Sequence, residues 1–360
     1  MLRIFKSLKK LDWILIFSAF FLVFFGLLSI YSSSRGNFLN FKKQAIFFGV
    51  GILLMFLFFF FDWRWLKETR FVFFIYFLSL ILLSGLFFFA PKIRGTRSWY
   101  KLGLFSFDPT EFLKIVLIII LAKYFSAKHV EMYRLRHILI SGFYVFLPSA
   151  LVYLQPDLGS VLILIALWLG ILIISGINLR QFFLLVLVFV LIFILGWNFF
   201  LKDYQKKRII SFFYPIEPLG ISWSQNQSKI AIATGGIFGQ GIKKGSQTQL
   251  GFLPEPQTDF VFAAIAEEMG LLGVLILLFL FSVLIWRIVK IAILTDNNFS
   301  RLLSSGFAIL LVSQIFINIG MNLGILPIIG IPLPFISYGG SSLILNFLAI
   351  GILESIRKGY

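Results

Sequence analysis

Gly245-Ser-Gln-Thr-Gln-Leu-Gly-Phe-Leu-Pro-Glu-Pro-Gln-Thr-Asp259 decides how this chain is read. It closes the one long polar segment, about 201–258, and delivers Asp259 to the mouth of an apolar run that starts at Phe260. A carboxylate at the start of a membrane helix is costly in hydrocarbon and marks a functional site by default. The alternative is an N-capping Asp that accepts the first unpaired N–H groups of the helix. At this residue alone both readings stand open.

Outward from that stretch the chain is apolar. Hydrophobic residues make up 59% and charged residues 13%, whereas soluble domains carry about 25% charge. Ten apolar runs, near 13–31, 44–61, 71–90, 111–125, 138–154, 158–177, 181–200, 260–286, 302–326 and 337–353, match the ~20 residues a spanning helix needs. The expectation is an all-α polytopic integral membrane protein of about ten transmembrane helices. One membrane domain covers 1–360: seven spans within 11–200, a long external loop at 201–258 and three spans within 259–356. The first run is too long for a signal-peptide core and no small-residue cleavage site follows it, so no cleavable leader is expected. With no cysteine, disulfides are excluded.

The net charge of +17 suggests anionic partners. These charges lie between spans and not on a soluble face, so nucleic acid is not expected; anionic lipid or a phosphorylated lipid substrate is. Lys and Arg number 17 in the segments that precede odd-numbered spans and follow even-numbered ones, and 14 in the others, seven of them in the long loop. Positive-inside bias then puts both termini in the cytoplasm and the long loop outside.

Several external features depart from that bias. Lys92, Arg94, Arg97 and Lys101 crowd a short loop, either to meet anionic outer lipid heads or to clamp a phosphate with guanidinium groups, and Trp99 belongs either to the interfacial aromatic belt or to a stacking wall for a sugar. In Asp108-Pro-Thr-Glu111-Phe-Leu-Lys114, Asp-Pro starts a helix, and Glu111 and Lys114 share one of its faces. That span is expected to line a wet cavity. Asp157, in Gln155-Pro-Asp-Leu-Gly159, either caps the next helix or joins Glu111 and Asp259 as a third carboxylate of the kind that binds hard divalent ions. The long loop opens on Lys202, Lys206, Lys207 and Arg208. Its middle reads as a re-entrant or interfacial helix that ends in a glycine turn, with Lys229 aimed at the cavity. Glu267-Glu268 are expected to hydrogen-bond inside the bundle. In Ile331-Pro-Leu-Pro-Phe-Ile-Ser-Tyr-Gly-Gly-Ser-Ser342 the expectation is a shaped external loop with N–H groups open to an oxyanion. His129 and His137 lack a metal-ligand pattern, so no zinc site is expected.

Taken together these strings resemble the SEDS family (shape, elongation, division and sporulation). The strings are Arg94-Gly-Thr-Arg-Ser-Trp99, Phe105-Ser-Phe-Asp-Pro-Thr-Glu111, Gln155-Pro-Asp-Leu-Gly159, Gln227-Ser-Lys229, Leu253-Pro-Glu-Pro-Gln-Thr-Asp-Phe260, Glu267-Glu268 and Gly330 to Ser342. They run in order along essentially the whole chain, and the loop from Gly245 is more similar to the rod-shape branch than to the division branch. Asp108 and Thr110 depart from the family's usual Gln and Ser. The resemblance implies polymerisation of lipid II into glycan at the outer face of the bacterial cytoplasmic membrane. It also implies a class B penicillin-binding protein (a transpeptidase) and other elongation-complex membrane proteins as partners. It maps the essential acid onto Asp259, the expected general base for the 4-hydroxyl of the acceptor. Arg94, Arg97, Lys114, Lys229 and Arg208 are then expected to stabilise a polyprenyl pyrophosphate leaving group, with a divalent cation, Mg or Mn, at Asp157 and Glu111. Trp99, Glu255, Thr258, Ser337 and Ser341 complete the expected substrate contacts. A lipid II flippase or transporter and a non-catalytic scaffold are the competing readings.

Overall fold

The computed structural model describes residues 10–91, 97–103, 105–128, 135–200, 203–213 and 221–359. Arg94 lies outside them, and for Arg208 only the backbone is described.

Ten of the helices fall on the ten apolar runs: α1 (Trp13–Ser33), α2 (Leu39–Phe60), α3 (Thr69–Phe89), α4 (Pro109–Lys128), α5 (Leu135–Leu154), α6 (Leu158–Ile174), α7 (Leu179–Phe200), α11 (Val261–Leu294), α12 (Asn298–Leu323) and α13 (Gly340–Lys358). Eight of the described helices are long and apolar enough to cross a membrane, and α6 is a shorter apolar helix. Between α7 and α11 the polar segment forms α8 (Asp203–Phe213), α9 (Ile221–Gly235) and α10 (Ser246–Leu250). A short antiparallel hairpin, β1 (Tyr100–Leu102) and β2 (Phe105–Phe107), precedes α4 and pairs Tyr100 with Phe107. Apolar periodicity alone did not mark it.

The core centres on α4, whose Leu113 and Ile115 to Ala122 are all buried. A helix buried on every side cannot face lipid, in keeping with the ion pair it carries. It is flanked by α3, α5, α6, α12 and α13. In contrast α7 leaves Leu184, Leu187, Leu191, Phe193 and Leu195 exposed, an apolar surface suited to hydrocarbon.

The polar segment is locked to the bundle through a break in α11. Gly270 sits at φ 65° and ψ −166° inside that helix, a backbone state open only to glycine. The groups the break frees are paired with the turn after α9. Gln240 and Gly241 donate to the carbonyls of Glu267 and Glu268, each at 2.9 Å, while the amides of Leu271 and Leu272 donate to Gly236 and Ile237 at 2.9 and 3.2 Å. A Cβ on Gly239 would lie 2.2 Å from the Glu268 carbonyl oxygen, so the glycine turn read in the sequence is what lets two backbones meet. Broken helices within a membrane protein persist where neighbouring backbone satisfies the freed groups in this way.

Candidate active site

Asp259 ends a tight turn against the first residue of α11. The N-cap position of that helix belongs to Phe260, which supplies no side-chain cap, so Asp259 stands one residue before the cap. Two buried asparagines one turn apart on α12 fix the backbone instead. Asn318 Nδ2 and Asn322 Nδ2 donate to the Asp259 carbonyl at 3.1 and 3.0 Å. Asn318 also holds the Ile331 carbonyl at 2.8 Å, and Asn322 Oδ1 accepts from the Ala263 amide at 3.2 Å. Asp259 is partly exposed. Gly330, in the left-handed region at φ 80°, lies beside it: a Cβ there would meet Oδ2 at 3.5 Å, an ordinary contact. Glu255 is in the left-handed region at φ 44°, a state that costs energy for a non-glycine residue and clusters at functional sites. Its carbonyl accepts from the Thr258 and Phe260 amides at 3.2 and 3.3 Å, which sets the turn that presents Asp259.

Below this turn the segment 331–342 is a brace. Ser337 is buried; its hydroxyl donates to the Thr258 carbonyl at 2.6 Å and accepts from the Leu333 amide at 2.8 Å. The amide of Tyr338 donates to the Gln257 carbonyl at 2.7 Å, and that of Gly339 to Gln44 Oε1 at 3.2 Å. The expectation of open N–H groups for an oxyanion therefore fails at these positions, because the protein already pairs them. Ser341 accepts from the Asp108 amide at 2.9 Å and donates to the Ser106 carbonyl at 3.2 Å, tying α13 to the start of α4.

A second acidic group stands beside the first. Lys114, buried, holds Glu111 at 2.6 Å. Asp108 accepts from the Thr110 amide at 2.8 Å. Its carboxyl is pushed up to about 7, chiefly by burial, then by the negative charges of Glu111 and Asp157, with Lys114 opposing. Asp108, Glu111, Lys114 and Asp157 thus form one electrostatic cluster, of which the sequence reading had assigned Asp108 only a helix start. Asp157 caps α6 as well, accepting from the Ser160 amide at 3.0 Å and its hydroxyl at 2.7 Å. Ile329 and Ile331 connect the two acidic groups: a Cβ on Gly159 would lie 2.9 Å from Ile329 and 3.1 Å from Ile331, on either side of the Gly330 that faces Asp259.

The cations are less concentrated. Arg97 is exposed and donates to the Phe87 carbonyl at 2.6 Å, in the last turn of α3. Trp99 is half-buried. Lys229 is exposed on α9 and its side-chain end lies against Gly324. Glu267 takes its expected place inside the bundle, where its carboxylate accepts from the Gln247 amide at 2.6 Å and the Thr248 amide at 3.0 Å and so caps α10. Glu268 accepts from the Ser32 hydroxyl at 2.5 Å. Among the described residues no three His, Cys, Asp or Glu side chains form a ready metal cage. Hard divalent ions shared with a substrate need only one or two protein carboxylates.

This combination defines a multi-pass helical membrane protein with an acidic site at one end of its bundle. The chain belongs to the cell cycle protein family of FtsW, RodA and SpoVE, whose model matches residues 10–359. It is 39% identical over 285 residues to the peptidoglycan glycosyltransferase MrdB of Escherichia coli (strain K12), covering 79% of this chain and 77% of that one. Its identity to stage V sporulation protein E of Bacillus subtilis (strain 168) is 34% over 365 residues, 96% of this chain and 97% of that one. Among solved structures it resembles a chain from a study of polymerization and crosslinking by a peptidoglycan synthase complex, with a TM-score of 0.82, 31% identity and coverage of 97% and 98%. The rod shape determining protein RodA of Thermus thermophilus aligns at a TM-score of 0.72 with 27% identity, covering 96% of each chain.

Proposed function

We propose that this protein is a peptidoglycan glycosyltransferase of the rod-shape (RodA) branch, that it joins lipid II units, and that Asp259 is its general base. The single observation that carries the reading is the presentation of Asp259. Its backbone is clamped by Asn318 and Asn322, the residue is partly exposed, and a second acidic cluster lies across one isoleucine-rich segment. A sugar hydroxyl is a weak nucleophile, and a positioned carboxylate contributes about 10²–10⁴-fold.

In the proposed step Asp259 takes the proton from the acceptor 4-hydroxyl. The oxygen forms a bond to the anomeric carbon of the donor, and the bond from that carbon to the polyprenyl pyrophosphate breaks with its electron pair on the pyrophosphate. Attack opposite the leaving group inverts the anomeric centre. Lys114 meets the developing charge, joined by Arg94, Arg97, Arg208 and Lys229. A Mg or Mn ion held by Asp157, Glu111 or Asp108 together with the pyrophosphate would neutralise part of that charge. Trp99, Glu255, Thr258, Ser337 and Ser341 shape the substrate groove. The site faces outward from the cytoplasmic membrane, the ten helices span it, and both termini lie in the cytoplasm. A class B penicillin-binding protein is the proposed partner; the likeness to a chain of a synthase complex that polymerises and crosslinks supports that pairing.

The test is lipid II polymerisation by the purified protein with its transpeptidase and a divalent ion, wild type against Asp259→Ala. Glycan from wild type and none from a folded Asp259→Ala is the expected result. Normal polymerisation by the variant removes Asp259 from the chemistry. Lipid II movement across vesicles without any polymer would transfer the assignment to a flippase.

A further inference from the structure

At the other end of α11 from Asp259 lies a cavity of about 360 Å³ lined by Lys10, Asp12, Arg287, Lys290, Ile291, Leu294 and Arg357. Four of its lining side chains are cationic and one is a carboxylate. That carboxylate is already engaged: Arg287 grips Asp12 Oδ2 through both Nε, at 2.6 Å, and Nη2. Glu354, buried behind it, accepts from the Asp12 amide at 3.0 Å and lies 3.8 Å from Arg357. Lys10 and Lys290 are exposed, and Lys290 stands 5.5 Å over the Trp286 ring. Like charges gathered around one concavity repel each other and favour an anion between them.

The walls indicate what kind of anion fits. Phe279, Trp286 and Ile293 are seven residues apart, so they share one face of α11, and they are 66%, 54% and 74% exposed. Leu294, which lines the cavity, is 53% exposed. An apolar stripe thus runs along the helix and passes the cavity at Trp286, whose ring lies under the cavity's Arg287 and Lys290. A soluble phosphate or nucleotide makes no use of such a stripe, whereas a lipid fills both parts at once. Basic pockets between helices at the membrane surface suit anionic lipid head groups, and indole at this level suits the interface.

We propose that this cavity binds the phosphate head group of an anionic phospholipid through Lys10, Lys290 and Arg357, with an acyl chain laid along Phe279 and Trp286. It lies at the membrane face opposite Asp259 and is independent of the glycosyltransferase site. The test counts lipids retained by the purified full chain in native mass spectrometry, with phosphatidylglycerol, phosphatidylcholine and inorganic phosphate as probes. Wild type should retain phosphatidylglycerol over phosphatidylcholine. The double variant Lys10→Gln/Lys290→Gln should weaken phosphatidylglycerol about 25-fold, since each cation near an anionic head group contributes a factor of about five, and leave phosphatidylcholine unchanged. Because the Asp12–Arg287 bridge is kept, its unfolding midpoint should equal that of wild type; the single variant Lys290→Gln, with about a fivefold loss, repeats the test if the double variant is unstable. Trp286→Ala should weaken phosphatidylglycerol as well. Equal retention by wild type and the charge variants overturns the site. Displacement of the lipid by inorganic phosphate, or indifference to Trp286→Ala, overturns the lipid as its occupant.

Discussion

The two ends of α11 handle a carboxylate in opposite ways. At one end Asp12 is 2% exposed and bound to an arginine through its side chain, while its amide is held by Glu354. At the other, the protein binds the backbone of Asp259 through Asn318 and Asn322, and the residue is partly exposed. A carboxylate whose oxygens are filled by a guanidinium holds helices together. One whose backbone carbonyl is gripped has its side chain presented at a fixed place. Glu267 and Glu268 side with Asp12, since their oxygens are filled by α10 and by Ser32.

If that contrast is right, the largest effect on stability belongs to the closed end. Asp12→Ala leaves the half-buried Arg287 without its carboxylate, and since removal of one partner of a fully buried pair costs about 3–5 kcal/mol, that range is the upper bound for this one. Denaturant or thermal unfolding should show that loss, with polymerisation falling only as the folded fraction falls.

Asn322→Ala comes next and separates positioning from stability. It leaves the Ala263 amide without its acceptor and removes one of two clamps on Asp259, at a cost of about 1–3 kcal/mol. Displacement of a catalytic group by ~1 Å costs about 100-fold in rate. Turnover should therefore fall while KM for lipid II holds. A change confined to the unfolding midpoint would reduce Asn322 to a packing residue.

The third effect lies in the acidic cluster and is read by pH. Folded Asp108 keeps its proton to about pH 7, whereas its ordinary value is 3.8. Between those limits the folded chain binds more protons than the unfolded one, so stability should decline as pH rises through that window and level off above it. Asp108→Asn should flatten the decline and raise the unfolding midpoint at pH 8. Divalent ion should raise the wild-type midpoint at pH 8 more than that of the variant, because the charge it relieves is gone there.

Much of this arrangement is legible in the chain. The ten apolar runs mark ten helices, Glu111 and Lys114 three apart do pair, and the glycines from Gly235 to Gly241 do mark a turn, one that packs on the break in α11. Asn318 and Asn322 went unread, although two amides four apart in an apolar run are a signal of interhelical hydrogen bonding. Their partner Asp259 lies about sixty residues earlier, and periodicity carries no information on such pairs. The break at Gly270 was hidden for a related reason. A lone glycine in an apolar helix is ordinary, and only the arrival of Gly235–Gly241 beside it makes a break affordable. Asp108 looked like a helix start and is one. What the sequence could not show is that Asp157, on another helix, shares its electrostatic field.

The comparison rests most directly on one substitution made at both ends, Asp259→Asn and Asp12→Asn, each assayed for lipid II polymerisation and for its unfolding midpoint in the same preparation. The account expects Asp259→Asn to lose at least about 100-fold in polymerisation at an unchanged midpoint, and Asp12→Asn to lose its midpoint while its folded fraction stays active. A destabilised Asp259→Asn that polymerises in proportion to its folded fraction would contradict it, because Asp259 would then be one more carboxylate that holds helices together.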